Sequence, residues 1–233
     1  MLFIQKMSNI KYYLYRIPFI KQSLILIFSI LFCINILFYR IHISGKFDYD
    51  FMLWNLLLAI IPYCFSILVY HNFRDHCKKS FYVLFVLLWL LFYPNAPYII
   101  TDIMHFTPNY GIPAWIDILM LFSFAWTGLI LGFASLRMFH IVLENNLGRI
   151  WGWLFVISVI ILGSFGVYLG RYLRFNSWDL FTKPQILFIG VNDIILNPHL
   201  YPGMYSMTIF FSLFFLLAYL SIIFFMFPNK KAD

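Results

Sequence analysis

Charge is what this sequence has least of. Only 11% of its 233 residues are Asp, Glu, Lys or Arg, against roughly 25% in soluble domains. With 63% of the residues hydrophobic, that deficit excludes an ordinary water-soluble globule. What is left is a set of apolar runs of about 20 residues, the length that crosses a bilayer. Acid is scarcer than base: nine Asp and Glu stand against sixteen Lys and Arg, a net charge of +7. The basic residues are spread over short connections, as loop charge at a membrane surface is, so no nucleic-acid partner is expected. Cysteine is nearly absent. Cys33, Cys64 and Cys77 lack metal-ligand spacing and two of them lie in apolar runs, so neither a disulfide nor a metal site is expected. The six histidines are scattered. No HExxH, nucleophile elbow, Walker loop or dinucleotide fingerprint occurs, and the sequence names no cofactor.

The apolar runs predict an all-α polytopic membrane bundle of about six transmembrane helices plus one short interfacial or re-entrant helix. Residues 1–22 read as a basic N-terminal segment, 23–227 as a single transmembrane domain and 228–233 as a tail. The runs begin near Ser23, Phe51, Phe81, Ala114, Ile150 and Gly203. The first is long, follows an extended basic lead-in and has no small-residue cleavage site after it, so it reads as an uncleaved helix. The third meets Pro94 after about 13 residues, too short to cross alone at 1.5 Å per residue. Pro94 and Pro97 predict an extended or turn segment there. It either continues the crossing in broken form or lies near the far interface. Pro62 inside the second run predicts a kink or a freed carbonyl. Pro184 to Leu196 is apolar but too short to span. Gly128 and Gly132 make a small-xxx-small pair, as do Gly166 and Gly170, and such pairs let helices approach closely.

Orientation follows from the positive charges. Counted over alternate connections, eleven Lys and Arg fall on the N-terminal side and five on the other. That predicts a multi-pass protein of the cell membrane with both termini in the cytoplasm. The same topology gathers three polar stretches at the extracytoplasmic end: Trp54-Asn55, YPNAPYIITDIMH (93–105) and GRYLRFNSWDLF (170–181), with Asp117 one turn into the fourth helix.

These stretches supply the candidate site. Asp102 and His105 share a helical face, and Thr101 or Asp102 could cap that turn. Arg171 and Arg174 present planar forks suited to phosphate or carboxylate. They could equally anchor the helix end among lipid head groups. Asp102, His105 and Asp179 are the candidates for proton transfer. Arg171, Arg174, Asn176, Asn55, Asn95, Tyr98 and Trp178 are the candidates for binding a substrate. Asn176, Ser177 and Asp179 carry turn or cap chemistry at minimum. Trp54, Trp115 and Trp178 read as an aromatic belt. Arg137, His140 and Glu144, at helical spacing, read as an exposed ion-pair ladder.

The stretches WNLLLAIIPY, YPNAPYIITDIMHF and GRYLRFNSWDLF resemble the recurring motifs of a bacterial multi-pass membrane family catalogued as domain of unknown function 1361. The resemblance runs over nearly the whole chain. It implies a helical membrane protein and singles out Asn55, Asn95, Pro97, Tyr98, Thr101, Asp102, Arg171, Arg174, Asn176, Trp178 and Asp179 as motif positions. It transfers no activity.

Three functions are compatible with these residues. The first binds or processes an anionic lipid or lipid-linked head group at the outer leaflet, with the arginines on phosphate and His105 with Asp102 or Asp179 moving protons. The second is a small-solute or ion transporter built on broken helices. The third is a non-catalytic subunit in which Arg171 or Arg174 pairs with Asp102 or Asp179 in a structural Arg–Asp–Asn cluster. The bilayer is the one partner all three share. The oligomeric state and any protein partner are left open.

Overall fold

The computed structural model describes residues 2–72, 79–107 and 111–226. Cys77 and the tail 228–233 lie outside them, as do some of the Lys and Arg residues counted for orientation. Among the described residues there is no strand. The long helices are α1 (Leu2–Ser44), α2 (Phe51–Asn72), α5 (Ala114–Leu147), α6 (Arg149–Tyr172) and α9 (Pro202–Met226). Shorter ones are α3 (Lys79–Phe92), α4 (Asn95–Tyr98), α7 (Asp179–Thr182) and α8 (Pro184–Leu196), with 3-10 turns at Ile99–His105 and Pro198–Leu200. Six stretches are long and apolar enough to cross a membrane. The protein is an integral membrane protein of multi-pass type.

Helix α5 is the centre. Two thirds of its apolar window (67%) is buried, against 11% for α9. Its neighbours are α1, α2, α4, α6 and the first 3-10 turn. One core joins α1, α2 and α5 around Leu37, Met52 and Phe124; the other joins α3, α5, α6 and α9 around Trp89, Phe139 and Tyr219. The large apolar side chains left exposed, such as Phe28, Phe122, Ile161 and Phe210, are those a bilayer would cover.

The third crossing, Val83–His105, decides the shape of the site. It is not one helix. Helix α3 stops at Phe92, Pro94 takes φ −59°, ψ −24°, and α4 and the 3-10 turn continue. Of the two forms the prolines predict, the turn is present at Tyr93-Pro94 and the extended one is not, and the chain resumes as helix from Asn95. Proline is tolerated in a first helical turn because the N–H it lacks has no partner there. The break frees carbonyls, which in an apolar setting must find donors. The Asn95 side chain donates to the Phe92 carbonyl at 2.9 Å, and the Ser177 hydroxyl to that of Leu91 at 3.0 Å.

Glycines on two helices make room for this broken segment. A Cβ on Gly128 would lie 2.7 Å from the Ala96 carbonyl oxygen, and one on Gly132 3.2 Å from the Ala96 Cβ. On α6, Gly163 would strike Tyr93 at 2.8 Å, Gly166 would strike Pro94 at 2.7 Å, and Gly170 would meet the Tyr98 ring at 3.1 Å. The small-residue stripes thus admit residues 93–99, not a neighbouring straight helix.

Candidate functional site

Residues from three crossings meet at one end of the bundle, around Arg171 in the last turn of α6. Its Nε and Nη2 donate to the Thr101 hydroxyl at 2.9 and 2.6 Å, and Nη2 also donates to Asp102 Oδ1 at 2.5 Å. Its Nη1 donates to His105 Nε2 at 2.7 Å, and its guanidinium lies 4.6 Å from the Tyr98 ring centre. Arginine is donor-only, so His105 accepts through Nε2 and carries its proton on Nδ1. The other Asp102 oxygen accepts from Asn55 Nδ2 at 2.8 Å. Asp102 is buried and both its oxygens are engaged.

The spacing of Asp102 and His105 makes this possible. In a 3-10 turn residues three apart eclipse one another, so both reach the same guanidinium. Neither Thr101 nor Asp102 caps the turn: Thr101 donates to the Tyr98 carbonyl at 2.7 Å from mid-segment, and no side chain caps the turn's start.

A second cluster lies alongside and was not foreseen. Arg40, 2% exposed, donates to Asp117 Oδ1 at 3.2 Å and to Asp48 at 3.3 Å, with Tyr49 under its guanidinium at 4.6 Å. The Tyr49 hydroxyl donates to the His105 carbonyl at 3.3 Å, which joins the two clusters. So Asp117 belongs to this end but pairs with Arg40. An arginine one turn from a span's end, with an acid one turn into another, was the signal available.

Asp179 and Arg174 stand apart from the Arg171 network. The Asp179 carboxylate reaches back to the Asn176 N–H at 2.7 Å and takes the Thr182 hydroxyl at 3.1 Å. The first closes the turn that leads into α7, whose own start has no side-chain cap. The Asn176 N–H is also the main reason this carboxyl is held below the usual carboxylate range. Arg174 is exposed and has no acidic partner among the described residues. Its φ is +57°, the left-handed position that glycine usually fills at a helix C-terminus, while the Phe175 N–H returns to the Leu169 carbonyl at 3.2 Å.

Beside the Arg171 network lies a partly open cavity of about 260 Å³ between α2, α3, α6 and the 175–187 segment. Its polar lining includes Asn55, Asn95, Tyr98, Asn176 and Ser177, and its walls include Trp54, Leu58, Leu90 and Leu187. Asn95 Nδ2 donates to Ser177 Oγ at 2.8 Å, fixing the 175–180 segment to the broken helix. Trp178 packs edge-on against Trp54, centroids 6.1 Å apart. Asn55 and Tyr98 belong both to the cavity wall and to the Arg171 network. On the far side, α8 is tied to the start of α9, where Tyr201 and Asn197 donate to Asp193 and Tyr205 to the Ile194 carbonyl.

These contacts are made by the very stretches that carry the family motifs, and a family model matches residues 54–226, well over half of the chain. The chain belongs to the family described as Protein of unknown function (DUF1361). The match runs from the start of α2 to the end of α9, so the family's shared part contains the Arg171 network and the cavity, while Arg40 lies before it. No curated protein and no solved structure matches the chain.

At the opposite end of the bundle, Arg137, His140 and Glu144 do not form the exposed ladder that their spacing predicts. His140 is buried, its Nδ1 3.0 Å from the Tyr219 hydroxyl and 3.2 Å from Arg137, and Trp153 stands edge-on over its ring. Glu144 is 3.9 Å away. Among the described residues no group of His, Cys, Asp or Glu is arranged to hold a metal.

Proposed function

We propose that this membrane protein binds an amphipathic molecule with an anionic head group, a lipid or a lipid-linked compound, in the cavity beside Arg171. The observation that supports it best is the lining, which combines amides and hydroxyls from the family's own motifs with leucines. At about 260 Å³ it is just under the range of whole small-molecule pockets, roughly 300–1,000 Å³. It suits a head group whose tails leave along the apolar surface. On the charge count this end faces away from the cytoplasm in the cell membrane, with both termini inside. Exposed apolar residues on α8, Ile186 and Ile189 among them, would then rest at that interface.

In this reading the two arginines divide their work. Arg171 is committed to Asp102, so the anion contact falls to Arg174, next to the cavity residues Phe175 and Asn176. Asn55, Asn95, Tyr98 and Asn176 hold the polar part of the ligand, and Trp178 backs Trp54. Proton transfer by Asp102 or His105 would need Arg171 to move off them, and Asp179 serves the loop that carries Asn176. The Arg171–Asp102–Asn55 cluster itself reads as structural, because both carboxylate oxygens are spent on neighbours.

Arg174→Gly tests the assignment. Left-handed backbone costs a non-glycine residue roughly 1–2 kcal/mol, and glycine's extra unfolded-state freedom gives back roughly 0.5–1 kcal/mol. Stability in detergent should stay level or rise slightly. Affinity for an anionic lipid should fall about tenfold or more, the worth of one charge-assisted hydrogen bond. Unchanged affinity would remove Arg174 from the site.

A further inference from the structure

The wall of the cavity is rich in acceptors. Asn95 spends both Nδ2 protons, one on the Phe92 carbonyl and one on Ser177 Oγ. A carbonyl only accepts, so the amide orientation is fixed and Oδ1 is the atom left over. Asn55 gives one Nδ2 proton to the Asp102 carboxylate, which fixes its amide the same way and leaves its Oδ1 and its second N–H. The leucines of the lining, Leu58 and Leu90 among them, complete it as apolar wall. Among the described residues no charged side chain lines the cavity.

Such a wall discriminates by chemistry. A bare oxyanion would face the Asn55 and Asn95 amide oxygens. An ammonium would find acceptors but no countercharge, with Arg174 close by. A hydroxyl donates to a carbonyl without bringing a charge to be desolvated. We infer that the cavity takes a hydroxyl-bearing head group, glycerol or sugar in kind, while any phosphate stays outside at Arg174. This rests on the ligand site proposed above and names the class of ligand it selects.

The test varies the ligand and leaves the chain intact. Native mass spectrometry of the purified full-length protein would compare lipids of equal chain length: phosphatidylglycerol, phosphatidylmethanol (same charge, no hydroxyl), phosphatidylethanolamine and a glucosyl diacylglycerol. Phosphatidylglycerol should bind about tenfold tighter than phosphatidylmethanol, the worth of one or two added hydrogen bonds, and the uncharged glucosyl lipid should bind measurably. Equal binding of the first two overturns the hydroxyl inference and leaves the lipid site standing. Preference for phosphatidylethanolamine overturns it in favour of an amine. Binding of no lipid overturns both the inference and the site. Competition by free glycerol or glucose at the same concentrations supports the hydroxyl chemistry and makes a soluble polyol its source.

Discussion

Asp102→Ala is expected to destabilise the protein by about 3–5 kcal/mol, the usual cost of stranding one member of a buried ion pair. Arg171, 11% exposed at its side chain, would keep Thr101 and His105 but lose its countercharge. Asn55 would lose its acceptor at the same time. The double variant Asp102→Ala with Arg171→Met should be more stable than Asp102→Ala alone, because an apolar chain replaces the orphaned charge. Thermal unfolding in detergent of the two single variants and the double measures this. If the two losses simply add, the pair is not coupled and the cluster is not the latch that holds the third crossing against α6.

Gly128→Ala comes next in size. In an ordinary helix interior this change stabilises by about 0.8–1 kcal/mol. Here the new methyl would sit 2.7 Å from the Ala96 carbonyl oxygen, and backbone cannot rotate away as a side chain can. Overpacking costs typically about 1–3 kcal/mol, so the expected net effect is a loss of that order. Gly166→Ala, against Pro94 at 2.7 Å, should behave similarly. Gly203→Ala, with nothing within 4 Å, is the control and should be neutral or mildly stabilising. The comparison separates the broken segment's need for space from any general effect of glycine replacement. A neutral Gly128→Ala would mean that residues 93–99 do not pack against α5 as described.

Much of this architecture is legible in the sequence because bilayer length is a strong rule. The second run, Phe51 to Tyr70, and the short apolar segment Pro184 to Leu196 coincide with the observed elements. The latter is bounded by Pro184 at its start and by Asn197-Pro198 after it. The third crossing is harder to read. Pro94 breaks the local pattern, and what lets the chain continue is a Ser177 hydroxyl 86 residues away in sequence. Arg171 and Asp102 were readable as polar residues out of place, but their pairing was one of several open combinations. In the sequence Arg40 is one of the five basic residues counted on the extracytoplasmic side, since nothing local reveals an acid 77 residues on. His140 fails for a related reason. The spacing of Arg137, His140 and Glu144 is the same whether their face meets water or a neighbouring helix, and Tyr219 on α9 decides it. The glycine stripes were recognised as places of close approach, but spacing alone does not say whether a straight helix or a broken one fills them.

The most direct test of the ligand site is to fill the cavity from its apolar wall and ask whether lipid leaves. Leu180 and Leu187 both line it, and Leu187 lies on the largely exposed α8, so Leu180→Trp with Leu187→Trp adds bulk without touching the Arg171 network. Wild-type and variant protein, extracted in mild detergent, would be compared by native mass spectrometry and thermal unfolding. The expected result is a stoichiometric lipid retained by the wild type and lost from a variant that still unfolds cooperatively near the wild-type temperature. Equal retention by both would contradict a ligand site in this cavity.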